Sequence, residues 1–106
     1  MFYFTLKNSG IEIDIKTKNF DATNSEKFKI ILDEYSIGRD LAFAYINMHE
    51  VEFIDNAGVS ALLSVHRHLK EGAEPIKLLD PQPAVMHIIE LLKLTSMFHW
   101  GSRQKM

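Results

Sequence analysis

The alternation of apolar and polar residues at the start of the chain predicts a β-hairpin. Ile11, Ile13 and Ile15 alternate with charged residues, which is the period of a half-buried strand. The apolar segment 2–6 precedes them, and a turn signal at residues 8–10 separates the two.

Three helical patterns then alternate with apolar runs. Thr23 and Glu26 have the spacing of a capping box and predict the start of the first helix, whose apolar face includes Phe28. A second helix is predicted from residue 59 to near Gly72, and a third is predicted to open at Asp80 with Pro81 in its first turn. The run 41–46 is typical of a strand covered on both faces, and residues 53–54 either end that segment or extend it briefly. Residues 76–79 predict another buried strand, and residues 97–100 predict a short last strand. Strands alternating with helices predict an α/β fold with one sheet that carries about three helices.

Length and composition narrow the class of protein. The 106 residues have a net charge of -2 and 46% hydrophobic content, as expected for a single globular domain spanning 1–106. No basic surface is indicated, so nucleic acid is not predicted as a partner. No apolar run reaches the ~20 residues that would span a bilayer, so membrane insertion is not expected and a cytoplasmic location is.

Catalytic and metal-binding patterns are missing from the sequence. The five histidines have no metal-ligand spacing, there is no cysteine, and no GxSxG motif surrounds a serine. Gly58 stands alone, without the other residues of a nucleotide-binding loop. We therefore predict no enzyme activity, no metal and no cofactor.

The stretch EFIDNAGVSALL, residues 52–63, is the most distinctive part of the chain. It places an acidic, turn-forming tetrapeptide at a junction between a strand and a helix. Asp55 is predicted to cap the helix and to fix the shape of the loop, since the first helical N–H groups lack intrahelical partners. Gly58 is expected to allow a partner's backbone to approach closely.

Three segments in order resemble the STAS domain, the fold of anti-sigma-factor antagonists. They are FDATNSEKF, FIDNAGVSALLSVHRHLK and DPQPAVMHIIELLKLTSMF, and with the order and length of the elements between them the resemblance spans essentially the whole chain. The resemblance implies a mixed sheet of four to five strands with about three helices. It also implies a regulatory module that binds a kinase-type anti-sigma factor and thereby frees a sigma factor.

In that family the docking surface combines the loop before the second helix with the start of the first helix. The resemblance therefore implies a partner-binding set: Asp21, Thr23, Asn24, Asp55, Asn56, Ala57, Gly58 and Ser60. The family signature has two serines after the aspartate, and the partner kinase phosphorylates the second. Here those positions are Asn56 and Ala57, so the phosphate acceptor is missing and constitutive binding is expected. Ser60 is a weaker candidate acceptor, because a solvated helix serine explains it better.

Other functions remain open at this stage. The chain could instead be the STAS subunit of an ABC-type lipid transport complex, since such relatives also often lack the acceptor serine. A scaffold in a signalling assembly is a third interpretation, in which the chain would associate with itself as a homodimer.

Overall fold

A computed structural model describes residues 1–102 of the chain as a five-stranded sheet that carries three helices. The strands of this sheet are β1 (Phe2–Leu6), β2 (Gly10–Ile15), β4 (Phe43–Asn47), β6 (Ile76–Leu79) and β7 (Phe98–Gly101). Two further strands, β3 (Asn19–Phe20) and β5 (Phe53–Ile54), form a separate parallel pair. The helices are α1 (Ser25–Ser36), α2 (Asn56–Ser64) and α3 (Pro83–Leu91).

The sheet is mixed, with the order β1-β2-β4-β6-β7. β1 and β2 form the predicted hairpin and pair antiparallel, while β2, β4, β6 and β7 are parallel to one another. The predicted mixed α/β fold with three helices is therefore confirmed, and the last strand begins one residue later than the sequence predicted.

The helices cover one face of the sheet only. Ile11, Ile13, Ala44 and Ile46 are buried on this face, whereas Tyr45, between the last two, is half-buried on the other face. The expectation that the run 41–46 is covered on both faces is wrong. Its outer positions are aromatic, and this made an alternating strand look like a continuous apolar one.

Aromatic rings join the hairpin to α1 in the core. Phe28 of α1 lies 5.4 Å from both Phe2 and Phe4, and 5.2 Å from Phe20, between ring centroids. Edge-to-face and tilted ring pairs of this kind stabilise a core beyond the apolar area that they bury. The contact also fixes the residues before α1 against the sheet.

The predicted ends of two helices are wrong. α2 ends at Ser64 and continues as a 3-10 turn over Val65–His68, well before Gly72, which has a φ of 82° in a turn. α3 has Gln82 at its N-cap position, without a capping hydrogen bond from the side chain, and Pro83 as its first residue, while Asp80 has a φ of 52° outside the helix. Both helices have proline or glycine close to their ends, and the sequence alone did not show which one sets the boundary.

Candidate partner-docking site

The parallel pair β3–β5 brings the predicted docking residues together. Asn19 lies opposite Phe53, and Phe20 lies opposite Ile54. Because parallel strands point in the same direction, the turn 21–24 and the segment 55–58, which contains the N-cap and first turn of α2, emerge side by side. We call these two segments the docking loops.

Asp55 joins the two docking loops. Its Oδ1 accepts a hydrogen bond of 2.9 Å from the backbone N–H of Gly58, so Asp55 is the N-cap of α2 as predicted. Its Oδ2 accepts a second hydrogen bond of 3.3 Å from the backbone N–H of Ala22. One carboxylate therefore fixes the start of α2 and holds the other loop against it.

Gly58 has a different role from the one predicted. It is buried, and a Cβ at this position would lie 2.2 Å from the backbone oxygen of Phe20 and 2.7 Å from Cγ1 of Ile54. The backbone that approaches closely therefore belongs to β3 of this chain. Gly58 lets the N-terminus of α2 pack on the β3–β5 pair.

Asp21, Thr23 and Asn24 form a local hydrogen-bond network in the first docking loop. Oδ1 of Asp21 accepts from the Thr23 hydroxyl at 2.6 Å and from the Thr23 backbone N–H at 3.0 Å. Oδ1 of Asn24 accepts from the Asp21 N–H at 3.0 Å, and its Nδ2 donates to the carbonyl of Asn19 at 2.8 Å. Each of the three residues thus fixes the turn that leads into α1.

The capping box predicted from Thr23 and Glu26 is not formed. The N-cap of α1 is Asn24, and no side chain caps the helix by a hydrogen bond. The Thr23 hydroxyl donates to Asp21 instead, because Asp21 lies only two residues before it in a tight turn.

The hydrogen bonds in this loop keep Asp21 ionised. The Thr23 hydroxyl first, and the Thr23 N–H second, lower the pKa of Asp21 below its ordinary value of 3.8, against a smaller opposing effect of burial. At neutral pH the rim of the first docking loop therefore carries a negative charge.

The remaining predicted residues lie at the start of α2. Asn56 and Ser60 are exposed, and Ala57 is half-buried between them in sequence. Within residues 1–102, the Asn56 and Ser60 side chains make no hydrogen bond, so both are free to meet another molecule. The structure thus places all eight predicted residues on or directly beside the docking loops, with Gly58 beneath the surface.

Sequence reasoning missed two contributors to this site. Ala22 supplies the N–H that connects the docking loops, and Phe53 exposes 53% of its surface beside them. A backbone donor has no sequence signature. The exposure of Phe53 could not be predicted from the sequence, because a two-residue strand is too short to show an alternating pattern.

A sequence profile of the STAS domain matches residues 13–104. The chain belongs to the STAS domain family. The docking loops of this STAS domain lie well inside the matched region. No curated protein sequence matches the chain.

Solved structures confirm the STAS fold. The anti-sigma factor antagonist SpoIIAA in its unphosphorylated form superposes with a TM-score of 0.80 at 18% identity, over 99% of this chain and 91% of that one. The Bacillus cell fate determinant SpoIIAA in its phosphorylated form gives a TM-score of 0.73 at 17% identity, over 99% and 95% of the two chains. At these identities the likeness concerns the fold.

The described part of this STAS domain shows neither a metal cluster nor a membrane span. Among residues 1–102, no three His, Asp or Glu side chains are grouped so that they could hold an ion. No helix in the same range is long and apolar enough to cross a bilayer.

Proposed function

We propose that this STAS domain, acting as one unit over residues 1–106, is a regulatory binding module of the bacterial cytoplasm. It docks a kinase-type anti-sigma factor through the docking loops and so releases a sigma factor for transcription. The proposal involves no catalysis by the chain and no cofactor. The observation that carries it is the Asp55 carboxylate, which connects both loops into one surface.

The chemistry of this surface favours a protein partner. Asp21 and Asp55 provide negative charge, Asn56 and Ser60 provide free hydrogen-bonding groups, and Phe53 provides an exposed aromatic ring. An aromatic anchor surrounded by polar groups is typical of the energetic centre of protein–protein interfaces. A protein whose surface is basic around an apolar recess fits this arrangement.

Ala57 supports constitutive binding. It is the second residue of α2, it has no hydroxyl, and it follows the capping carboxylate by two positions. A phosphoryl group at such a place would add about -1.5 to -2 charge beside Asp55 and weaken docking by repulsion. Since an alanine cannot accept it, we propose that control acts on the partner or on protein abundance.

The proposal is tested by introducing a negative charge at position 57. In a pull-down from the host followed by mass spectrometry, wild type should recover the kinase-type anti-sigma factor and Ala57→Glu should lose it. An acidic residue near a helix N-terminus is compatible with the helix dipole, so we expect Ala57→Glu to remain folded. Titration of the purified partner should then show at least a tenfold weaker affinity, which is about 1.4 kcal/mol.

Two control variants separate charge from bulk and from position. Ala57→Gln adds a side chain of the same size without charge and should bind better than Ala57→Glu. Ala84→Glu adds the same charge at the same helical position of α3, where Ala84 is exposed, and should bind like wild type. Equal affinity of all four proteins would refute docking through these loops, and recovery of a transporter ATPase would establish the transport-subunit alternative instead.

A further inference from the structure

The sheet face that the helices leave uncovered is aromatic and concave. We call it the outer sheet face; its side chains surround a depression of about 590 Å³. Tyr3 is 52% exposed, and the rings of Phe43 and Tyr45 lie 4.8 Å apart between centroids along β4. The depression is mixed in character, because the charged side chains Glu12, Asp14 and Lys77 line it together with the rings of Tyr3 and Tyr45. None of the docking residues lines this depression.

The charges on the outer sheet face are arranged symmetrically about its middle strand. Tyr45 of β4 has Glu12 of β2 beside it on one side and Lys77 of β6 on the other, in direct register. The Lys77 ammonium lies 5.3 Å from the centroid of the Tyr45 ring. Glu12 forms an ion pair with the exposed Lys7 at 3.7 Å, and such surface ion pairs are weak and readily rearranged. An acid, an aromatic ring and a base thus stand in one row across the sheet.

We propose that a second copy of this chain covers the outer sheet face, related by a two-fold axis that runs parallel to β4. Rotation about this axis places Glu12 of one copy opposite the partner's Lys77, and Lys77 opposite the partner's Glu12. Tyr45 meets the partner's Tyr45 at the axis. A two-fold axis perpendicular to the strands would instead bring Glu12 against Glu12, so charge selects the first arrangement.

The neighbouring row of side chains agrees with this arrangement at the two edges of the sheet. It runs from Tyr3 on β1 through Asp14 and Asn47 to Leu79 and Gly101 on β7. The same rotation places the exposed Tyr3 ring opposite the partner's Gly101, which has no side chain. A large residue at one edge and a small one at the other thus match in size, while Asp14 comes to lie opposite the partner's Leu79 beside the central depression.

The size of the outer sheet face indicates a weak dimer. Five strands at ~4.8 Å spacing and about five residues of length give a footprint of roughly 20 Å by 16 Å. This footprint of about 320 Å² per copy, or about 640 Å² in total, is smaller than the ~1,200 Å² at which specific complexes begin and is typical of transient contacts. We expect a dimer that is populated at protein concentrations of about 0.1–1 mM.

Charge reversal tests the proposal by sedimentation equilibrium. Glu12→Lys and Lys77→Glu should each raise the dissociation constant about tenfold or more, because both symmetry-related contacts become repulsive. An equimolar mixture of the two variants should form a heterodimer at wild-type strength, because at both contacts a lysine of one copy then faces a glutamate of the other. Thermal unfolding of each variant checks that the fold is intact.

Controls keep this result separate from the docking proposal. Glu26→Lys and Lys27→Glu reverse exposed charges on α1, and Ala57→Glu alters the docking loops; all three should dimerise like wild type. A wild-type protein that stays monomeric at about 1 mM, or a variant mixture that fails to associate, would overturn the proposed dimer while leaving the function of the docking loops untouched.

Discussion

Replacing Gly58 by alanine tests how the docking site is built. The added methyl group would lie 2.2 Å from the Phe20 carbonyl oxygen, so α2 and β3 must separate to restore an ordinary contact. Overpacking costs about 1–3 kcal/mol, and the obstructing atom here belongs to the backbone, which places the cost at the upper end. Alanine regains roughly 0.5–1 kcal/mol of helix propensity. We therefore expect a net loss of about 2 kcal/mol, or a melting temperature lower by roughly 8 °C.

Urea denaturation of Gly58→Ala and wild type measures this loss directly. Gly72→Ala is the matched control: it also adds one methyl group, but no atom lies within 4 Å of the new Cβ, and only its φ of 82° is unfavourable. Its cost should be about 1 kcal/mol. Unchanged or increased stability of Gly58→Ala would refute the close packing of α2 on β3.

Three further predictions concern the carboxylates and the missing hydroxyl. Asp55→Ala should cost about 1–2 kcal/mol in urea denaturation, and Asp55→Asn less, because the amide oxygen can still accept one of the two hydrogen bonds. The NMR titration of Asp21 should give a pKa below 3.8, and Thr23→Val should raise it by removing the hydroxyl donor. The carboxylate of the folded state then contributes stability above pH 3.8 that is lost as the pH falls toward the lowered pKa, and Thr23→Val should weaken this dependence. Ala57→Ser should become phosphorylated by the kinase-type partner in vitro, and absence of phosphate on the introduced serine would contradict the assignment of this position as the switch.

The order of strands and helices could be predicted because their patterns are regular and span several residues. The alternation at Ile11, Ile13 and Ile15 predicted a strand with one buried face, and all three side chains are buried. Asp55 could be predicted as a cap because capping depends on residues adjacent in sequence.

Neither the choice between nearby hydrogen-bond acceptors nor the contacts between distant segments could be predicted in this way. Thr23 had the spacing of a capping box, yet its hydroxyl bonds to Asp21 because that acceptor is nearer in the folded turn. Gly58 was predicted to let the backbone of a partner approach closely. The backbone that requires a glycine here is instead that of Phe20, which lies much earlier in the sequence of the same chain. The packing of the whole domain determines which backbone segment contacts a given residue, and the local sequence does not show it.

The docking loops are joined through two very short strands, and this has a consequence for folding. The hydrogen bond from Ala22 to Asp55 spans 33 residues, and each strand behind it contributes only two residues. Such a surface consists of contacts between residues far apart in sequence, and contacts of this kind are associated with slow folding. Under the proposed function, partner binding therefore depends on the population of folded molecules, so heat or a destabilising substitution in the core should lower the amount of partner bound.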